Sequence, residues 1–186
     1  MTTLIIARHG EADYEPADEE EDHGTLSSLG RRQSAALAEE LAGRGVAHVW
    51  SSTVARAVQT SEIVAARLGA GVTTRLGLRE FGWGDLDHQD PDRFLEIYRS
   101  WVAGNLDVGI PGGETGREIA DRFGAVLREV AHGHAGETVL VVTHGGVIGL
   151  CVPAIARMDV EQTGLGNCDT VEVRVDADGW VCTRWG

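Results

Sequence analysis

A chain of 186 residues, 42% hydrophobic and 24% charged, is long enough to bury a full core and reads as one ordinary domain spanning 1–186. No run approaches the ~18 apolar residues of a membrane span, and a formal charge of −13 argues against DNA or RNA as a partner. The amino end, MTTLIIARHG, has neither the basic start nor the long apolar run of a signal peptide, so a cytoplasmic location is expected.

Leu4, Ile5 and Ile6 are continuous rather than alternating, which predicts a strand buried on both faces. An acidic stretch follows, in which six of the eight residues from Glu15 to Asp22 are carboxylates. A solvated loop is its plain reading, and a gate against polyanionic substrates the sharper one. Ser27-Ser28 then caps a helix carrying Ala36, Leu37 and Leu41, which Gly43 and Gly45 stop. Val46 to Trp50 reads as a second strand. Ser51-Ser52 is expected to cap the next helix, whose apolar face (Val54, Ala57, Val58, Ala65, Leu68) runs to Gly69.

A short strand at 72–75 and irregular chain from Gly77 to Pro91 come next. Two amphipathic helices carry Phe94, Leu95, Tyr98, Trp101 and Val102, then Ile119, Phe123, Val126, Leu127 and Val130. The run TVLVVT at 138–143 is the strongest buried-strand signal, and a Gly-Gly turn leads from it into an apolar helix with Ile148 and Leu150. The tail from Thr170 to Trp185 reads as two strands around a turn at 176–179. Such alternation predicts an α/β three-layer sandwich with a mostly parallel central sheet flanked by helices. Cys151, Cys168 and Cys182 form no CxxC pair and are expected to be reduced thiols.

Two strand ends match: LIIARHG and LVVTHGG both close an apolar strand with histidine and glycine. Ligands of open α/β sheets bind beyond the carboxyl ends of the strands, so His9 and His144 are aimed at one rim. Arg56, early in the helix after the second strand, joins Arg8 there. Arginine's planar fork stays charged and matches phosphate oxygens, which makes these four side chains a candidate phosphate pocket.

At these residues the chain resembles the histidine phosphatase superfamily, the phosphoglycerate mutase-like proteins. ARHGEAD is similar to its Arg-His-Gly signature, and SSTVARAVQTSEI to its second motif. LREFGWGDL is similar to the segment bearing the acidic proton donor, PGGET to a Gly-Gly-Glu turn, and VVTHGGVI to the second-histidine motif. LSSLGRRQ matches the usual helix start, and the ordered likeness covers about Leu4 to Asn167. The resemblance implies His9 as the phosphorylated nucleophile. It implies Arg8, Arg56 and His144 as holders of the phosphoryl oxygens, and Glu80 as the general acid. Asp85 and Asp87 are the alternatives from the same loop. No metal or other cofactor is expected, because the arginines supply the positive charge.

The chain also departs from the mutase branch. Tyr14 and Glu15 stand where a Trp-Asn pair is typical, and the longer basic insertion before the Gly-Gly-Glu turn is missing; apart from the mutase question, His88 stands where the family's acid-bearing segment has a glycine. The expectation is therefore a phosphatase of a small phosphorylated metabolite. A mutase-type phosphotransferase and a phosphate-binding module without turnover are the alternatives. A homodimer is the default assembly. Glu11 is expected to orient neighbouring groups; His23, His48, His88, His132 and His134 form no metal-ligand spacing, and His132 and His134, after a helix, are expected to be plain surface residues. Trp83 and Trp101 are divided evenly between cleft and core.

Overall fold

Continuous apolar runs become the middle of a seven-stranded sheet in the computed structural model, which describes residues 1–14, 24–86 and 91–186. The elements in chain order are β1 (Thr2–Arg8), β2 (Ala12–Asp13), β3 (Thr25–Leu26), α1 (Ser28–Leu41), β4 (Val46–Ser51), α2 (Ala55–Leu68) and β5 (Gly71–Thr74). A short 3-10 turn at Leu76–Leu78 precedes α3 (Pro91–Val102) and α4 (Gly116–Gly133). Then come β6 (Thr138–Thr143), α5 (Gly145–Ile155), β7 (Arg157–Met158), β8 (Thr170–Asp176) and β9 (Gly179–Trp185).

Strand order is β5-β4-β6-β1-β8-β9-β7. The first four run parallel, while β8 is antiparallel to both its neighbours, β1 and β9. The expected tail hairpin thus forms, and it extends the main sheet through β8. Alternate side chains of β1 explain its unbroken apolar run. Leu4 and Ile6 pack with Val139, Val141 and the residues of α3, α4 and α5 on one face. Ile5 and Ala7 pack with Leu140, Val142 and the residues of α1 and α2 on the other. Both layers need helices, so the sandwich has three.

Helix ends follow their sequence signals with one exception. The Ser27 side chain accepts from Gly30 N to open α1, and Thr115 with Glu118 forms a capping box at α4. α2 closes on Gly69 at φ 69°, a left-handed turn that costs glycine little. Ser51 and Ser52 do not cap α2: the N-cap is Val54 with no side-chain bond, and Ser51 belongs to β4. Ser52 is turned to the rim instead. Within α5, Pro153 has no N–H for the Gly149 carbonyl, and Gln162 Nε2 donates to that oxygen at 2.8 Å. Cys151, Cys168 and Cys182 are free thiols. Among the described residues no helix is long and apolar enough to cross a membrane.

Candidate active site

Register brings the rim together. Arg8 pairs with Thr143 across β1 and β6, so His9 and His144 emerge side by side. Their ring centroids lie 5.2 Å apart, edge to face. On the other side of β6, Ser52 N donates to Val142 O at the end of β4, and the first turn of α2 delivers Arg56. Arg8, His9, Arg56, Glu80 and His144 all line one cavity of about 500 Å³. The five side chains singled out in the sequence meet there.

Each imidazole has an assigned tautomer. The His9 Nδ1 proton goes to the Gly10 carbonyl at 2.7 Å, which leaves Nε2 as a lone-pair nitrogen. Arg56 Nε donates to that nitrogen at 3.2 Å. Arg56 Nη2 faces His144 Nδ1 at 3.4 Å, so the His144 proton sits on Nε2, 2.9 Å from Ser52 Oγ. The third guanidinium nitrogen, Nη1, is buried and has no partner among the described residues. A buried cationic donor without an acceptor is expensive and marks where an anion belongs.

Burial, with the positive charge of Arg56 and Arg8, lowers the His9 pKa from 6.5 to about 4. Burial, His9 and Arg56 push His144 well below its ordinary value. Both rings are therefore held toward the neutral form near pH 7. The positive charge lining the pocket comes from two guanidiniums. Arg8 is held by donating from Nη1 to Leu165 O at 2.7 Å, and Tyr14 lies over Arg56, 5.6 Å from guanidinium carbon to ring centroid.

Glu80 sits at the amino end of α5. Its carboxylate accepts from Gly146 N and Val147 N at 2.9 Å each, and from Phe81 N at 3.3 Å. A Cβ on residue 146 would lie 2.8 Å from Glu80 Oε1 and 2.9 Å from Phe81 Cε1, so this approach needs glycine. Burial raises the Glu80 pKa, opposed by the three backbone donors and Arg56. Asp85 instead packs on the turn at Gly112, and Asp87 lies outside the described residues, as do the acidic stretch, His23 and His88.

Several supporting groups were not visible in the sequence. Ser52 holds His144, Asn167 Nδ2 donates to the His9 carbonyl at 3.0 Å, and Thr60 Oγ1 accepts from Gly10 N at 3.0 Å. The only hint was their location near strand ends or on the helix behind them. Glu11 accepts from the Ser27 hydroxyl and so orients the start of α1. Trp83 lines the cavity, whereas Trp101 is core, its Nε1 donating to Val108 O at 2.7 Å. His134 is no plain surface residue, because it is partly buried against His48 and Trp50. Among the described residues no group of three or more His, Cys, Asp or Glu side chains has metal-holding geometry.

A model of the histidine phosphatase superfamily (branch 1) matches residues 4–186. The chain belongs to that superfamily. It is 33% identical to phosphoglycerate mutase-like protein 4 of Arabidopsis thaliana, covering 98% of this chain and 84% of the relative. A probable phosphoglycerate mutase of Salmonella typhi is 28% identical over all of this chain and 90% of its own length. Among solved structures, a mycobacterial glucosyl-3-phosphoglycerate phosphatase with VO3 superposes with a TM-score of 0.77 at 27% identity, covering 99% of this chain and 98% of that one. A putative alpha-ribazole-5'-P phosphatase of Escherichia coli, at 21% identity and a TM-score of 0.76 over 100% of this chain and 96% of that one, shares the fold. The membership supports a phosphatase or a mutase enzyme.

Proposed function

We propose that this superfamily member is a metal-independent phosphatase that hydrolyses a small-molecule phosphate monoester through a phosphohistidine on His9. One observation carries the reading: the neutral His9 Nε2 adjoins Arg56, whose buried Nη1 awaits an acceptor. A phosphoryl group entering between them meets a nucleophile and a fixed positive charge together. The Nε2 lone pair attacks phosphorus, and the ester P–O bond breaks. Glu80, protonated as burial and the arriving dianion favour, gives its proton to the leaving oxygen. The Glu80 carboxylate then takes a proton from the water that attacks phosphorus. The P–N bond breaks, phosphate leaves and neutral His9 is restored.

The donor set supports independence from metal, because both Glu80 oxygens are engaged by backbone N–H groups and the remaining first neighbours are arginines and histidines. The relatives' names raise mutase-type transfer as a second reading. A mutase substrate carries a second anionic group to be held, and the cationic side chains among the described lining residues, Arg8 and Arg56, are both at the phosphate end.

Incubating wild type and His9→Ala with p-nitrophenyl phosphate and excess chelator tests the reading. Wild type should turn over and carry an acid-labile phosphoryl label, with phosphate ending on water. His9→Ala should lose at least about 10³-fold in turnover and the whole label. Turnover that survives His9→Ala overturns the nucleophile, and label passed to an added alcohol in preference to water favours the mutase.

A further inference from the structure

Away from the phosphate end the cavity changes character. One wall is a column of near-parallel rings. Trp83 stacks on Phe94 with centroids 4.2 Å apart and planes 16° from parallel, and Phe94 on Phe81 at 5.7 Å and 23°. Phe81 stacks in turn on Tyr98 at 5.9 Å and 21°. Buried Trp101 stands perpendicular beneath Phe81 at 5.2 Å and fixes the column to the core. Gln162, Leu165 and Trp185 also line the cavity. Gln162 Nε2 donates to Gly149 O, and Trp185 Nε1 to Thr163 O at 2.7 Å.

Among the described lining residues no further cationic side chain is offered to a second anion. Arg8 and Arg56 are the only cationic side chains among the described lining residues, and both serve the phosphate end. The chain contains no lysine at all, and eight of its other arginines, 44, 75, 93, 117, 122, 157, 174 and 184, are paired with carboxylates. Residues 15–23 and 87–90 contain neither lysine nor arginine but eight carboxylates. A carboxylate or second phosphate on the leaving group would lose water against this wall and gain no countercharge. A flat apolar ring would gain contact area instead.

We infer that the site takes phosphate monoesters of uncharged alcohols that bear a flat or apolar ring, with Trp83 and Phe94 as the residues that set this preference. The inference rests on the phosphatase reading and names its substrate class.

Benzyl phosphate, ethyl phosphate and 3-phosphoglycerate test it, because all three release alkyl alcohols and differ mainly in ring and charge. Wild-type kcat/KM for benzyl phosphate should exceed that for ethyl phosphate at least about tenfold, with 3-phosphoglycerate below both. Trp83→Ala should cut the benzyl-to-ethyl ratio at least about fivefold, chiefly through KM, and Trp83→Phe should keep most of it. Equal wild-type rates for the first two, a preference for 3-phosphoglycerate, or a ratio indifferent to Trp83→Ala each overturn the inference. If phosphohistidine still forms on His9 in those cases, the phosphatase reading stands without it. The wild-type ratios decide the matter even if Trp83→Ala fails to fold. Absence of both label and turnover with all three esters sinks the underlying reading itself.

Discussion

Two histidine pairs lie at nearly equal separations, His9 with His144 at 5.2 Å and His48 with His134 at 5.5 Å between ring centroids. The second pair is held by neutral polar groups and one carboxylate. His48 Nε2 meets Thr73 Oγ1 at 2.9 Å, Trp50 Nε1 donates to His134 Nε2 at 3.1 Å, and His134 Nδ1 meets Glu137 at 2.8 Å. It sits toward the amino end of the parallel strands, where His48 pairs with Val139 near the start of β6. The first pair, at the carboxyl rim, has arginines for neighbours and a buried donor left over. Closeness of two imidazoles is thus no sign of chemistry. An imidazole bound to an arginine that keeps a buried, unpartnered nitrogen, inside a cavity, is.

The comparison breaks first on activity. Glu80→Gln should slow alkyl phosphates about 10²- to 10³-fold and p-nitrophenyl phosphate much less, since a good leaving group needs less protonation. Wild-type kcat/KM should fall as pH drops toward about 4, where His9 gains a proton, and should fall again at higher pH as Glu80 ionises above the ordinary carboxylate range. Glu80→Gln should remove its contribution to the upper limb. Equal slowing of both ester types would take the acid role from Glu80.

Stability sharpens the contrast at intermediate size. His9 titrates at about 4 when folded against 6.5 in an ordinary setting, so as pH falls the unfolded chain takes the proton first. Folding stability should decline from about pH 6.5 toward 4, and His9→Gln should recover at most about 3 kcal/mol of that loss in urea melts. An unchanged slope would mean His9 is not held neutral by its surroundings. The smallest effect belongs to the other pair. His134→Ala leaves the Trp50 N–H without its acceptor and should cost about 1–3 kcal/mol of stability, with kcat unchanged. A fall in kcat would mean the two pairs are coupled.

Legibility tracked the kind of force involved. β1 and β6 were plain because burial on both faces demands unbroken apolar residues, and His9 and His144 were plain because they end those strands. The placement of Arg56 followed from its helix. Glu80 could be assigned by motif, but its seat on the first turn of α5 depends on long-range folding across 66 residues. Ser52 was read as a cap because a serine before a helix usually is one, and tertiary contact with His144 won instead. β2 and β3, two residues each, carry no periodicity from which to be read. The aromatic column was half visible: α3 showed its apolar face, while the stacking of Trp83 on Phe94 arises from irregular chain.

The central position of β1 has a consequence for how such an enzyme changes over generations. Hydrogen-bonded ladders clamp it on both sides, to β6 and to β8, so the amides leading to Arg8 and His9 exchange with solvent only when the sheet itself comes apart. Trp83 and Phe94, which the proposed substrate class would contact, lie outside the sheet, in the loop after the 3-10 turn and on α3. Substitutions there can redraw which molecules are accepted while the bond-breaking apparatus stays anchored, so new selectivity and retained turnover need not compete.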